Sequence, residues 1–252
     1  MTGRLQDKVA LISGSAGGQG RAAVLRFAAE GARVVCCDVD ETGNAQTVDL
    51  ARAAGFDVVG HAPGDVATSA GATAWIEAAV ERFGRVDILY NNASTTRFTP
   101  IADISDEEWA FVMRNEIDVV FFPTRAAWPH LVRSRGVIIN ISSVAGMIGW
   151  GRPAVAHCTA KGAIIAMTRQ LAVEGAPHGI RAVTISPGAV VTPSTAQILE
   201  RPEVHAKLME RNLVGRLGQP DDVVATAVFL ASDEAGFITG TNVTVDGGHT
   251  AF

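Results

Sequence analysis

The chain has 252 residues, 48% of them hydrophobic and 19% charged, which supplies enough apolar mass for a large core and excludes a disordered chain. Its net charge is −5 and its basic residues are scattered, so we expect no nucleic-acid partner and no attraction to an anionic membrane. No run of about 18 apolar residues occurs, which argues against a signal peptide and a membrane span.

Cysteine usage points to a reducing compartment. The three cysteines are Cys36, Cys37 and Cys158, and an odd number with two adjacent in a strand-like run argues against a disulfide framework. We interpret all three as small buried hydrophobes. The sequence therefore predicts a cytoplasmic protein.

Short β-branched runs alternate with alanine-rich stretches along the chain, which is typical of a parallel sheet wrapped by helices. The predicted strands are 9–13, 33–37, 58–61, 88–90, 137–141, 182–185 and 242–245. The predicted helices are 20–29, 42–54, 69–83, 106–130, 157–176 and 221–231. Ser105 and Glu108 form an S-x-x-E capping signal at the start of the fourth helix. We therefore predict a single α/β domain over residues 1–252.

One stretch interrupts this alternation. From residue 187 to 218 the chain lacks a clear strand and carries three prolines and a charged middle at 199–203. A long excursion inside a compact domain is usually functional, so we predict a substrate lid around 190–215. A surface insertion without a role is the alternative.

A glycine-rich loop, residues 13–20 (S-G-S-A-G-G-Q-G), joins the first strand to the first helix. Glycines are needed there because the backbone must turn sharply and approach a pyrophosphate without Cβ atoms in between. The helix that starts in the loop offers free N–H groups and the positive end of its dipole to the phosphates. We predict dinucleotide contacts at Gly14, Ser15, Gly18, Gln19 and Gly20.

Two acidic residues follow the next two strands. Asp38 ends the second strand, where a carboxylate can accept bonds from both adenosine ribose hydroxyls and repels a 2′-phosphate. Neither Gly17 nor Val39 offers a positive charge for that phosphate, so we predict NAD rather than NADP. Asp65 and Val66 follow the third strand and are expected at the adenine edge. Plain turn residues are the alternative for both aspartates.

Several ordered motifs resemble those of the short-chain dehydrogenase/reductase family over essentially the full length. The glycine loop resembles T-G-x-x-x-G-x-G with Ser13 for threonine, and N-N-A-S at 91–94 resembles N-N-A-G with Ser94 for glycine. The segments 141–143, 187–192, 238–240 and 245–248 also match. The resemblance implies a Rossmann-like, doubly wound sheet and hydride transfer between a nicotinamide and a carbonyl or alcohol. It also implies an oligomer, usually a homotetramer, with a homodimer as the alternative.

The resemblance further implies roles for individual residues. It implies catalytic roles for Asn115, Ser143 and Lys161, with Lys161 also contacting the nicotinamide ribose. It implies cofactor contacts at Asn92, Ala93, Pro187, Gly188, Val190 and Thr192. The family's tyrosine does not carry over, because its Y-x-x-x-K motif aligns with His157-Cys158-Thr159-Ala160-Lys161. The chain's single tyrosine, Tyr90, lies in the predicted fourth strand.

We predict that His157 replaces the tyrosine as the acid/base. His157 and Lys161 are four residues apart on a helix and share one face. The Lys161 ammonium and burial both disfavour an imidazolium, so we expect a mostly neutral ring at pH 7. A neutral imidazole is a competent base for an alcohol proton, although histidine is shorter than tyrosine and a water or a deeper substrate must close the gap.

The substrate is expected to be a mid-sized, partly apolar secondary alcohol or ketone. Its predicted walls, 94–98, 147–152 and 193–213, mix Phe98, Met147, Ile148 and Trp150 with Arg97 and Arg152, which also suit an anionic group. Trp150 as an interface residue is the alternative for that side chain. We expect no metal site, because the histidines and cysteines lack ligand spacing. The alternative functions are a cofactor-binding protein with weak or no redox activity, and a lyase, epimerase or dehalogenase.

Overall fold

The computed structural model describes residues 3–252, and its centre is a seven-stranded sheet in which every neighbouring pair of strands is parallel. The strands are β1 (Val9–Ser13), β2 (Arg33–Cys37), β3 (Val58–His61), β4 (Ile88–Asn91), β5 (Val137–Ile141), β6 (Arg181–Pro187) and β7 (Asn242–Val245). Their order across the sheet is β3-β2-β1-β4-β5-β6-β7.

Helices connect the strands and cover both faces of the sheet. They are α1 (Gly18–Ala29), α2 (Glu41–Ala53), α3 (Ser69–Phe83), α4 (Asp106–Met113), α5 (Val119–Ser134), α6 (Val155–Gly175), α7 (Ala196–Leu199), α8 (Pro202–Met209) and α9 (Pro220–Ala231). A π-helical turn at Arg114–Asp118 joins α4 to α5. None of the helices in residues 3–252 is both long and apolar enough to cross a membrane.

The core lies in two layers, one on each face of the sheet. One layer packs α1 and α9 against the sheet and includes Phe27 and Tyr90, whose ring centroids are 5.6 Å apart. The other packs α3, α5 and α6 and includes the fully buried Trp75. The central strands are apolar on successive residues because both faces of a parallel α/β sheet are covered.

The predicted fold class is confirmed: the chain is a single Rossmann-like domain. Five of the seven predicted strands have the observed bounds, and the other two extend a few residues further. The prediction of one continuous helix over 106–130 was wrong, because the π-helical turn divides this stretch into α4 and α5. The excursion at 187–218 contains two short helices, α7 and α8.

The cysteines are free thiols, as expected. Cys36 and Cys37 are buried as expected, whereas Cys158 is half-buried, so the interpretation of all three cysteines as buried hydrophobes was wrong for Cys158. Burial raises the pKa of the Cys36 thiol to about 11 and also raises that of Cys37, so both behave as small apolar side chains.

The strand order reverses at β1, since the chain runs outwards to β2 and β3 and then returns to β4 on the other side. In open parallel sheets, the crevice at the carboxyl ends of the strands beside this switch point is the usual ligand site. The loops after β1, β2, β4, β5 and β6 all leave at this edge, because all these strands are parallel. Most of the sequence-predicted site residues lie on those loops, at the start of α1 and on α6. Asp65 and Val66 lie after β3, and Asn115 lies in the π-helical turn.

Candidate active site

The glycine loop after β1 is held close to the loop after β4. Gly14 has φ +72°, and a Cβ built on it would lie 2.8 Å from the Cα of Ala93. The Asn92 side-chain amide donates to the carbonyls of Ser13 (3.0 Å) and Gly14 (3.2 Å), and the Ala93 N–H donates to the Ser13 hydroxyl (3.1 Å). Both the left-handed conformation and the close approach require glycine at position 14.

The same loop forms a cradle at the N-terminus of α1. The helix N-cap is Gly17, which supplies no side-chain cap, so the N–H groups of the first turn face the loop without that partner. A Cβ on Gly20 would overlap the Gly14 carbonyl. The Oε1 atom of Gln19 is buried and has no hydrogen-bond partner within residues 3–252. Free helix N–H groups, absent Cβ atoms and an orphaned polar atom fit a dinucleotide.

Ser15 differs from the other predicted loop residues. Its hydroxyl is fully buried and donates to the side chain of Asn44 on α2 at 2.7 Å. This bond ties the loop to α2, so the Ser15 side chain serves the fold, and any contribution to a phosphate comes from its backbone.

Asp38 supports the glycine loop directly. Its Oδ2 accepts the Ala16 N–H at 2.8 Å and its Oδ1 accepts the Asp40 N–H at 2.9 Å. The carboxylate is half-buried and keeps free lone pairs, while Val39 beside it is exposed. Sequence reasoning missed a cation near this loop: the Arg21 guanidinium donates to the Ala16 carbonyl and the Thr47 hydroxyl.

Asp65 is already paired. Its Oδ2 accepts the guanidinium of Arg114, and its Oδ1 accepts the Ala67 N–H at 3.0 Å. Arg114 also donates to the Asn115 side chain at 3.3 Å. The Asp65 carboxylate, which is expected to contact the adenine, is therefore also bonded to an arginine. The neighbouring Val66 is buried.

The loop after β6 reaches the glycine loop across two intervening strands. A Cβ on Gly18 would lie 3.2 Å from the Cβ of Thr192. Pro187 ends β6 and is buried, Gly188 donates its N–H to the Val245 carbonyl, and Val190 is also buried. The predicted cofactor residues of this loop thus border the same crevice as the glycine loop.

His157 and Lys161 meet on a residue that the sequence analysis did not single out. The His157 Nδ1 lies 2.8 Å from Oε1 and 3.1 Å from Oε2 of Glu116. The Lys161 Nζ lies 3.7 Å from the same Oε1 and donates to the Ser94 hydroxyl at 3.2 Å. Ser94 in turn donates to Glu116 at 3.0 Å. Two of the three departures from the family motifs, Ser94 and His157, therefore share one carboxylate.

Glu116 is fully buried and lies in the π-helical turn between α4 and α5. A buried carboxylate is stable only when it is paired and hydrogen-bonded, and here α6 and the loop after β4 supply the donors. Burial lowers the pKa of Lys161, and the Glu116 carboxylate opposes that shift. Two sequence signals could have pointed to Glu116: it is a glutamate beside Asn115 in an otherwise apolar helical run, and a serine replaces the family's glycine at position 94.

The structure does not bring the other two predicted catalytic side chains into this network. The Asn115 amide donates to the Phe111 carbonyl at 2.8 Å. The Ser143 hydroxyl caps a short helical turn by accepting the Ala145 N–H at 3.1 Å. Within residues 3–252 neither side chain forms a hydrogen bond with His157 or Lys161.

These observations define a class of protein: a dinucleotide-binding α/β fold with a buried histidine, lysine and glutamate on the loops and helix beside the cofactor crevice. Residues 14–250 match the sequence profile of a family described as enoyl-(acyl carrier protein) reductase. The chain belongs to the short-chain dehydrogenase/reductase family and is an oxidoreductase.

Similar proteins cover nearly the whole chain. The meso-2,3-butanediol dehydrogenase of Serratia marcescens is 37% identical, over 98% of this chain and 96% of the relative. The cyclopentanol dehydrogenase of Comamonas testosteroni is 36% identical, over 99% of each chain. A solved 7α-hydroxysteroid dehydrogenase, complexed with NADH and 7-oxo glycochenodeoxycholic acid, is 28% identical with a TM-score of 0.93, over 97% of this chain and 95% of that one. The family and the cradle together support a nicotinamide cofactor.

Proposed function

We propose that this protein is an NAD-dependent dehydrogenase that interconverts a mid-sized, partly apolar secondary alcohol and its ketone, with His157 as the acid/base. The observation that carries the proposal is the bond between His157 Nδ1 and the buried Glu116 carboxylate. Similarity to two alcohol dehydrogenases over almost the full length supports the reaction class.

The carboxylate determines which ring nitrogen is available for chemistry. An ionised carboxylate can only accept, so Nδ1 must donate, and a neutral ring then carries its lone pair on Nε2. Within residues 3–252 no protein group hydrogen-bonds Nε2. Nε2 is therefore the atom proposed to take the alcohol proton during oxidation and to return it during reduction.

Glu116 also changes the charge balance inferred from the sequence. The sequence reasoning considered two influences on the His157 ring, the Lys161 ammonium and burial, and both disfavour an imidazolium. The Glu116 carboxylate, whose Oε1 lies 2.8 Å from Nδ1 of the ring, was not part of that reasoning and places an acceptor directly beside the imidazole. The ring proposed to carry the proton is therefore held in place by a buried carboxylate.

The remaining family roles complete the proposed mechanism. When bound, the nicotinamide would exchange a hydride with the carbinol carbon. Lys161, held by Ser94 and the Ile141 carbonyl, is proposed to bind the nicotinamide ribose. Ser143 would rotate its hydroxyl from Ala145 to the reacting oxygen, and Asn115 would hold the turn that carries Glu116.

NAD is favoured over NADP by Asp38. Its carboxylate keeps acceptor capacity for the two ribose hydroxyls and would repel a 2′-phosphate. Arg21 does not reverse this preference, because its guanidinium is engaged by Thr47, Ala16 and Gly43 acceptors.

We propose a homotetramer, as the family resemblance implies, and the cytoplasm as the compartment. The excursion after β6 is proposed as the substrate lid. Its two ends are fixed by a parallel bridge between Val190 and Gly218, while α7 and α8 lie between them. A segment fixed at its base can close over a substrate without disturbing the sheet.

NADH formation from a panel of secondary alcohols, measured with NAD⁺ and with NADP⁺, tests the proposal. We expect turnover of at least one cyclic or branched alcohol with NAD⁺ and a much lower rate with NADP⁺. NADH binding without turnover of any alcohol or ketone would instead support a cofactor-binding protein without redox activity. Product formation without net NADH would support a lyase or epimerase.

A further inference from the structure

Two aromatic rings from two segments pack against the ring of His157. Phe98 follows β4 and Trp150 follows β5, and their ring centroids are 5.6 Å apart. The His157 ring lies 5.6 Å from Phe98, edge to face, and 5.7 Å from Trp150. His157 is only 8% exposed, and these two rings form part of its surroundings.

Arg152 covers this aromatic cluster. Its Cζ lies 3.6 Å from the Phe98 ring centroid and 4.6 Å from that of Trp150, in cation–π contact with both. A guanidinium that packs its face on a ring keeps its N–H donors at the edge, in the fork geometry that matches a carboxylate or phosphate.

The Arg152 guanidinium lacks a hydrogen-bond acceptor among the residues that the structure describes. Within residues 3–252 it forms neither a hydrogen bond nor a salt bridge, although the side chain is half-buried. Burial lowers the pKa of Arg152, and no neighbouring carboxylate opposes that shift. A half-buried cation with five unused donors is costly unless an anion joins it.

A second cation lies beside Gly151, the residue that precedes Arg152. A Cβ built on Gly151 would lie 3.3 Å from the Nζ of Lys207, which belongs to α8 in the excursion. Lys207 also has no salt bridge to a carboxylate within the described chain. The excursion therefore brings a positive charge to the backbone next to Arg152, in a chain whose net charge is −5.

We propose that Arg152, assisted by Lys207, binds an anionic group of the substrate, a carboxylate or a phosphate. That this anionic group belongs to a hydroxy or oxo substrate rests on the proposed function. The Phe98 ring touches both the guanidinium and the imidazole, so a compact substrate can place its anion at Arg152 and its reacting oxygen at His157. A bidentate charge-assisted pair fixes orientation as well as affinity.

Binding of three probes to the NADH-saturated protein tests the subsite without turnover. The probes are benzoate, phenyl phosphate and the neutral benzamide, and isothermal titration gives each affinity. We expect at least one anion to bind about tenfold or more tightly than benzamide, as a charge-assisted pair would give. The stronger of the two anions identifies carboxylate or phosphate as the preferred group.

Variants show whether the preference belongs to Arg152. Arg152→Met keeps the apolar stem and should reduce the anion preference to within about twofold, whereas Arg152→Lys should retain part of it. Arg82→Met is the matched control, because Arg82 also packs on an aromatic ring, Phe83 at 4.7 Å, but at the C-terminal end of α3.

Equal binding of benzamide and both anions, or no binding of any probe, would overturn the subsite. So would an anion preference that survives in Arg152→Met or is lost in Arg82→Met. Because these readouts need no reaction, they remain interpretable if no alcohol is oxidised. Conversely, equal oxidation of a hydroxy acid and its methyl ester would refute the subsite while leaving the dehydrogenase proposal intact.

Discussion

The substitution Glu116→Gln removes one charge from the buried network and changes almost no volume. A glutamine oxygen at the Oε1 position can still accept from His157 Nδ1–H and from Ser94, but the amide cannot balance an imidazolium. Its nitrogen would replace Oε2, which lies 3.1 Å from His157 Nδ1, and an amide nitrogen cannot accept from that N–H. Glu116 is fully buried with His157 Nδ1 at 2.8 Å and Ser94 Oγ at 3.0 Å, so no water replaces the lost acceptor. We expect kcat/KM to fall about 10²-fold or more.

The distance to Lys161 gives the second consequence. Opposite charges 3.7 Å apart attract by about 4 kcal/mol at an effective dielectric constant of about 20. Burial lowers the pKa of Lys161 and the Glu116 carboxylate raises it. Because Glu116→Gln removes the carboxylate that opposes the effect of burial, the pKa of Lys161 should fall further. A lysine is charged below its pKa, so the alkaline limb of the pH profile should move to lower pH.

The assay is the pH dependence of kcat/KM for alcohol oxidation, with thermal unfolding measured in parallel. Glu116→Asp keeps the charge and should restore part of the alkaline limb, and Glu77→Gln removes an exposed carboxylate on α3 as a control. A purely structural role would lower the Tm without moving the pH profile. An unchanged kcat/KM and an unchanged alkaline limb in a folded Glu116→Gln protein would refute the reasoning.

Three further outcomes are expected. Gly14→Ala places a Cβ at φ +72° and 2.8 Å from the Ala93 Cα, so the Tm should fall by several degrees and NADH affinity by about tenfold or more; unchanged values of both would contradict the cradle. Asp38→Asn should weaken NADH binding by about tenfold and bring NADPH closer to it, and tighter NADPH than NADH binding by the wild type would reject the assignment. The Arg216 side chain lowers the pKa of Asp222 to about 2 from 3.8, so its stabilisation is present above pH 3.8 and lost as the pH falls towards 2. The difference in urea midpoint between wild type and Asp222→Asn should therefore narrow on acidification, and a constant difference would count against the pair.

The fold was predictable because its signals are local. Apolar runs such as 9–13 and 137–141 fill both faces of a parallel sheet, and the glycine loop and capping residues fix where helices begin. The exception was the π-helical turn at Arg114–Asp118, since its sequence keeps a helical pattern and the extra residue per turn is decided by tertiary contacts.

The site was predictable only in part, because its partners are distant in sequence. Glu116 and His157 are 41 residues apart, and the pairing of Asp65 with Arg114 spans 49. Local reasoning placed His157 beside Lys161 correctly but omitted the carboxylate that lies between them. Ser94 stood out only as a mismatch to the family motif, and its contact with Glu116 supplies the physical reason.

The central claim is that His157 carries the proton in alcohol oxidation. The most direct measurement compares His157→Ala with the wild type on one oxidised alcohol, together with NADH affinity. We predict a fall in kcat of about 10²-fold or more, with NADH affinity changed by no more than a few-fold. Full activity in His157→Ala would contradict it.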